Sequence, residues 1–144
     1  MSDAEPVVLV VDDNADFLHV ARALLGDAFP TSSVHTVSSG LEALAFLEHA
    51  TGVAESPRPD FVLLDYHLPD FNAPEVLRRL RADPQLQSLP VLVLSQAAWE
   101  QDEAAARAAG AQQFSLKPSR VAELRRVIGN FYKEYVHGAL RSAH

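Results

Sequence analysis

Apolar residues in this chain follow two patterns. Short unbroken runs occur at Pro6 to Val11, Phe61 to Leu64 and Pro90 to Leu94, with weaker ones at Val34 to Val37 and Gln112 to Leu116. Between them, apolar positions return at helical spacing. A short unbroken apolar run reads as a strand buried on both faces, as in a parallel sheet. The first helical stretch carries Phe17, Ala21, Leu24, Leu25 and Ala28, with Asp13 or Asn14 placed to cap it and Pro30 to end it. The second opens on Ser39-Gly40-Leu41-Glu42, which has capping-box spacing, and Leu41, Leu44 and Leu47 form its expected buried stripe. Thr51 to Pro59, with Gly52, Pro57 and Pro59, reads as a surface loop. Pro74 to Ala82 is a helix with Val76, Leu77 and Leu80 inward, stopped by Asp83-Pro84. Trp99 to Ala109 is an alanine-rich helix closed by Gly110 as a left-handed cap. The last helix, with Ser119 as its expected cap, runs to about Tyr135. Five strands alternating with five helices predict a parallel sheet wound on both faces, whose ligand lies at the carboxyl ends of the strands.

Those carboxyl ends carry the reactive groups. The first strand stops at Asp12-Asp13, the third at Asp65, the fourth at Ser95 and the fifth at Lys117. Asp65 ends the most apolar run, and its charge requires the strand to open there onto a solvated crevice. Three carboxylates and one ammonium leave a formal charge of −2, which a divalent ion would cancel. An all-oxygen site of carboxylates, a backbone carbonyl and waters suits Mg2+, and magnesium held this way commonly serves a phosphate. Lys117 can offer a point charge to one phosphoryl oxygen and Ser95 a hydroxyl to another, leaving Asp65 as the nucleophile. Taken singly, each feature has a plain structural reading: a helix cap, a turn serine, a loop Lys-Pro. Their register at the ends of four strands is what gives them weight.

Composition narrows the classes. The chain has 144 residues, 48% of them hydrophobic, enough for one domain with a real core. Net charge is −7, and its 12 basic residues form no dense patch, which argues against direct nucleic-acid binding. The absence of cysteine removes disulfides, thiolate metal sites and thiol nucleophiles. With no signal-peptide pattern and no run near the ~20 apolar residues of a membrane span, a cytoplasmic location is expected, with no membrane partner.

At this point the chain resembles the receiver domains of two-component response regulators. The likeness rests on Asp12-Asp13, on Leu-Leu-Asp65-Tyr-His-Leu-Pro69, on Ser95 and on Phe114-Ser-Leu-Lys117-Pro118, and it covers about residues 6–135. The resemblance implies a flavodoxin-like (βα)5 fold of strand order 2-1-3-4-5, one receiver domain over 1–144 with a short tail at 136–144 and no output domain. It implies that Asp65 accepts a phosphoryl group from a sensor histidine kinase in a magnesium-dependent reaction. Asp12, Asp13, Asp65 and the carbonyl of His67 would hold the ion. Lys117 and Ser95 would bind the phosphoryl group, and the bond before Pro118 would be cis. Ser95 would move toward the phosphoryl group and draw Phe114 inward, remodelling the face of the fourth helix, fifth strand and fifth helix. Such a protein is a signalling switch that catalyses only its own phosphorylation and dephosphorylation.

Asn72-Ala73 stands where the family often has Asp-Gly, Phe114 has no hydroxyl, and the His67 side chain, two positions past Asp65, reads as an exposed imidazole without a metal role. A narrower likeness, carried by the 51–59 loop, Glu75-Val76-Leu77, Arg81-Ala-Asp-Pro84 and the aromatic end of the last helix, is to single-domain regulators paired with bacterial phytochrome kinases. Two other readings compete. A magnesium-dependent aspartyl-phosphate phosphohydrolase usually has a second Asp where His67 stands, and a never-phosphorylated pseudo-receiver would lack a site residue.

The last helix also suggests a homodimer. Val121, Leu124, Ile128, Phe131 and Tyr135 recur at steps of three and four, a coiled-coil-like seam. If the helix projects past the sheet, its aromatic end forms a patch that a two-fold contact would cover.

Overall fold

The apolar runs form one sheet whose two faces use alternate residues of each run. In the computed structural model, residues 6–51, 58–97 and 99–137 are described. The elements are β1 (Val7–Val11), α1 (Ala15–Ala28), β2 (Ser33–Val37), α2 (Gly40–Thr51), β3 (Phe61–Asp65), α3 (Ala73–Arg81), β4 (Val91–Ser95), α4 (Glu100–Ala109), β5 (Gln113–Leu116) and α5 (Val121–Phe131). All strand pairs are parallel, in the order β2-β1-β3-β4-β5. The expected α/β architecture and its strand order are both present. Residues 52–57 of the expected loop, and the tail beyond His137, lie outside the described residues.

Side chains on a strand alternate between faces, so an unbroken apolar run can feed two cores at once. Val8, Val10, Phe61, Leu63, Leu92 and Leu94 pack with Ala21, Leu24 and Leu25 of α1 and Leu124, Ile128 and Phe131 of α5. Leu9, Val11, Val62, Leu64, Val91 and Val93 pack on the other side with residues of α2, α3 and α4. The same alternation carries Asp12 and Asp65 toward the α1 and α5 side, each two residues beyond an apolar residue of that core.

Helix ends follow the sequence closely in some places and depart from it in others. Asn14 caps α1, its side chain accepting from the Phe17 amide. Gly110 closes α4 with φ 116°, a conformation that suits glycine, and the Arg81 side chain fills the space a Cβ would need. On α2, Ala43 and Leu47 are buried but Leu41 is exposed, because Leu41 sits in the first turn and faces outward. Ser119 does not cap α5. Arg120 takes that position and no side-chain cap bond forms. Half-buried Arg81 joins the amino edge of the sheet to its helices by donating to the carbonyls of Leu86 and Gly110 and to Gln112 Oε1. At the edge strand, Arg22 of α1 donates to Val34 O and Thr36 Oγ1 of β2.

The dimer expectation loses its apolar patch here. Leu124, Ile128 and Phe131 are 2%, 1% and 0% exposed, covered by their own chain. After Phe131 the helix continues as a π-helical segment, Tyr132–His137, whose wider turn keeps the aromatic stripe over the molecule. Tyr132 packs on Phe29, Phe131 and Tyr132 meet Phe61, and Val136 is buried. Tyr135 is half-buried against Phe131. Of the five seam residues only Val121 is exposed. The helical period read correctly as a buried stripe, but the stripe belongs to the intramolecular core.

A core role and an interface role differ in a measurable way. Phe131→Ala should lower the urea unfolding free energy by about 3–5 kcal/mol, the usual cost of emptying an aromatic core site. Val121→Ala should stay within about 0.5 kcal/mol of the parent.

Candidate phosphoryl-acceptor site

Three strand ends bring their polar residues together at the carboxyl edge. Asp12, Asp13 and Asp65 offer carboxylate oxygens that all lie within 4.8 Å of one another. Asp12 is buried, Asp13 is exposed, and Asp65 is 8% exposed. Asp12 also turns the chain, its Oδ1 accepting from the Asn14 amide at 2.9 Å. This is an all-oxygen donor set of the type hard divalent cations take, so the residues present fit a magnesium ion.

Lys117 enters from the end of β5. Its Nζ lies 2.6 Å from Asp12 Oδ2 and 3.7 Å from Asp65 Oδ1, and its ammonium sits 4.2 Å from the centre of the Phe17 ring. Its primary partner is therefore Asp12, while Asp65 is within reach. The cation–π contact steadies the ammonium from the α1 side.

Asp65 is not solvated as its place at a strand end suggested. Burial pushes its carboxyl pKa up, the charge of Asp12 adds to this, Lys117 opposes it, and the result is about 6 against an ordinary 3.8. A strand buried on both faces carries its last side chain into the same low-dielectric ground as the residues before it.

Ser95 is wholly buried, with its hydroxyl bonded to the chain just after it. Its hydroxyl donates to the Ala97 carbonyl at 2.9 Å and accepts from the Ala97 amide at 3.3 Å. Two residues further on, Trp99 holds the N-cap position of α4 and is largely exposed. Phe114 is already inside the core, its ring meeting the edge of Tyr66 at 6.2 Å. An inward movement of Phe114, expected from the resemblance, has no outward starting position here. The bond before Pro118, expected cis, is trans, since no described peptide bond is cis. Trans is the cheaper isomer before proline by about 0.5–1 kcal/mol, and the chain reaches α5 without the tighter turn.

The loop after β3 holds what the sequence reading missed. Ala73 donates to the Tyr66 carbonyl at 2.9 Å, and His67 bridges Asn72, so residues 66–73 close on themselves. No residue of this loop has positive φ, so Asn72-Ala73 needs no glycine. His67 is exposed and stacks edge-on with Tyr66. At the loop's tip, Asp70 accepts from the amides of Gly40 and Leu41, both at 2.9 Å, and of Phe71 at 2.8 Å. Desolvation opposes its charge, but these amides outweigh it and hold the carboxyl below the ordinary range. Asp70 lies 30 positions from Gly40 in the chain, so no local motif announces this cap. Tyr66 is buried, and burial, reinforced by the Asp102 carboxylate on α4, pushes its phenol up.

The burial of Asp65 has a stability signature. Because the folded Asp65 releases its proton near pH 6 and the unfolded one near 3.8, stability falls as pH rises through that window, and the penalty is complete above it. Asp65→Asn should therefore be more stable than the parent above pH 6, by about 1–2 kcal/mol after allowance for solvent screening. Urea denaturation across pH should show this advantage disappearing below pH 4.

Comparison with known proteins agrees with this fold. Residues 8–129 match the response regulator receiver domain family. The response regulator Rcp1 of Synechocystis is 32% identical over 101 residues, covering 70% of this chain and 69% of Rcp1. Two further curated relatives are longer, and the chain spans 29% and 47% of them. The phosphorylated cyanobacterial phytochrome response regulator RcpA superposes with a TM-score of 0.82 at 27% identity, covering 94% of this chain and 96% of that one. The Mn2+-bound form of Rcp1 superposes with a TM-score of 0.77 at 26% identity, covering 92% and 95%. With its sheet order, its acid cluster and a family match over most of its length, the chain belongs to the response regulator receiver domain family.

Proposed function

We propose that the chain is a phosphorylation switch in which Asp65 accepts a phosphoryl group from a phosphohistidine of a sensor kinase. The observation that carries this reading is the convergence of Asp12, Asp13 and Lys117 on Asp65 at one sheet edge. An oxygen of ionised Asp65 bonds to phosphorus while the phosphorus–nitrogen bond breaks. The histidine nitrogen keeps the bonding pair and takes a proton. Asp12, Asp13, Asp65 and the His67 carbonyl would hold Mg2+, which supplies the positive charge that three carboxylates and a phosphoryl group together demand. Lys117 is near enough to Asp65 to turn from Asp12 to a phosphoryl oxygen, a charge-assisted contact. Ser95 reaches the phosphoryl group only by giving up its bonds to Ala97, which lets the turn before α4 move.

The proposed kinase belongs to the phytochrome class, on the likeness to a phytochrome response regulator. A groove beside the site supports docking of a kinase helix: Phe17, Val20 and Leu124 line it, and Asn14, Arg120 and Val121 flank them. Val121 is largely exposed there, unlike the rest of its helical stripe.

Incubation with acetyl phosphate and Mg2+ should add one hydroxylamine-labile phosphoryl group by mass spectrometry, absent from Asp65→Asn and suppressed in excess chelator. Stoichiometric labelling of the variant, or undiminished labelling with chelator, overturns the reading. His67→Ala should leave total uptake intact and change the phosphoryl lifetime several-fold, measured by decay of the labelled species, since the exposed imidazole lies two residues from the acceptor.

A further inference from the structure

The loop that follows Asp65 is fastened at both ends and at its tip. Its base is closed by the Ala73 amide on the Tyr66 carbonyl and by the His67–Asn72 bridge. Its tip is fastened to a different part of the fold by Asp70, which accepts two amides of the first turn of α2 and one of its own loop. Beside it the Phe71 ring lies against Gly40 so closely that an added Cβ would come within 2.8 Å of Phe71 Cδ2. The Arg79 guanidinium covers the Phe71 ring at 4.6 Å. The strand that leads into α2 is itself tied to the acid cluster, because the Asp12 amide donates to the Val37 carbonyl at the end of β2.

Asp70 thus does more than satisfy helix donors. A helix N-terminus attracts an anion, and the anion here comes from the segment carrying His67. We infer that Asp70 is a positioning residue for the acceptor site: by clamping the 66–72 loop to α2, it fixes the His67 carbonyl relative to Asp12 and Asp13. The inference rests on the reading of the site as a metal-dependent phosphoryl acceptor. Loss of the clamp leaves the three carboxylates in place but lets the fourth oxygen donor wander, which weakens divalent-ion binding before it weakens the fold. Outer partners that orient ligands commonly matter about 10–100-fold in metal affinity. A clamp acting through backbone sits at the low end of that range.

Ser39 supplies the control. Its hydroxyl accepts from the Glu42 amide at 3.1 Å, so it also serves the first turn of α2, through a bond within its own segment. Mn2+ is titrated into the full chain, with free ion followed by electron paramagnetic resonance, and thermal unfolding is recorded for each variant. Asp70→Ala should weaken Mn2+ binding about tenfold, Asp70→Asn, which keeps one acceptor oxygen, should recover part of that loss, and Ser39→Ala should bind as the parent does. Equal Mn2+ affinity in Asp70→Ala and the parent overturns the inference, as does equal weakening in Asp70→Ala and Ser39→Ala. If Asp70→Ala does not fold, Asp70→Asn decides by the same comparison with Ser39→Ala. A parent chain that binds no Mn2+ removes the metal-site reading itself, and this inference with it.

Discussion

Everything at the carboxyl edge turns on the cost of holding Asp12, Asp13 and Asp65 together. Their oxygens lie within 4.8 Å of one another, two of the three residues are largely buried, and Lys117 is the cation bound to them. The sheet imposes this crowding. Parallel strands start and stop in register, so polar residues at their ends are delivered side by side whatever their charges. Burial is the first cause of the raised pKa of Asp65 and the charge of Asp12 adds to it, so positive charge brought to the site opposes both.

The opposite edge of the sheet bears the complementary burden. There Phe61 meets Phe131 and Tyr132, and Arg81 binds the carbonyls of two connections. Apolar burial and satisfied polar groups at the amino edge offset electrostatic strain at the carboxyl edge, as expected when a functional site is less than optimal for stability. The site need not be stable by itself, because the framework that positions it is.

The strands and their acidic ends were legible because unbroken apolar runs are a strong signal, and their alternate residues fill two cores. Gly110 was legible because a left-handed cap favours one residue type. The aromatic end of the last helix was misleading. Helical period shows that a stripe is buried, but not whether a second molecule or a π-helical continuation buries it. Leu41 failed for a related reason, since a stripe assigned by spacing says nothing about where the first turn meets the sheet. Asp70 left no trace in local sequence, because its partners lie a strand and a helix earlier. The partner of Lys117 was likewise invisible, since position along the edge names the neighbours but not their distances.

Trp99 gives one of these features an unexpected use. It is the chain's single tryptophan, it stands at the N-cap of α4, and it is 61% exposed. Only a few residues of chain separate it from Ser95, whose hydroxyl is bonded to Ala97. Indole emission depends on local solvent and neighbouring charge, and no second indole dilutes it. The protein therefore carries a built-in optical probe, placed where the chain passes from the end of β4 into α4, that needs no label to be read.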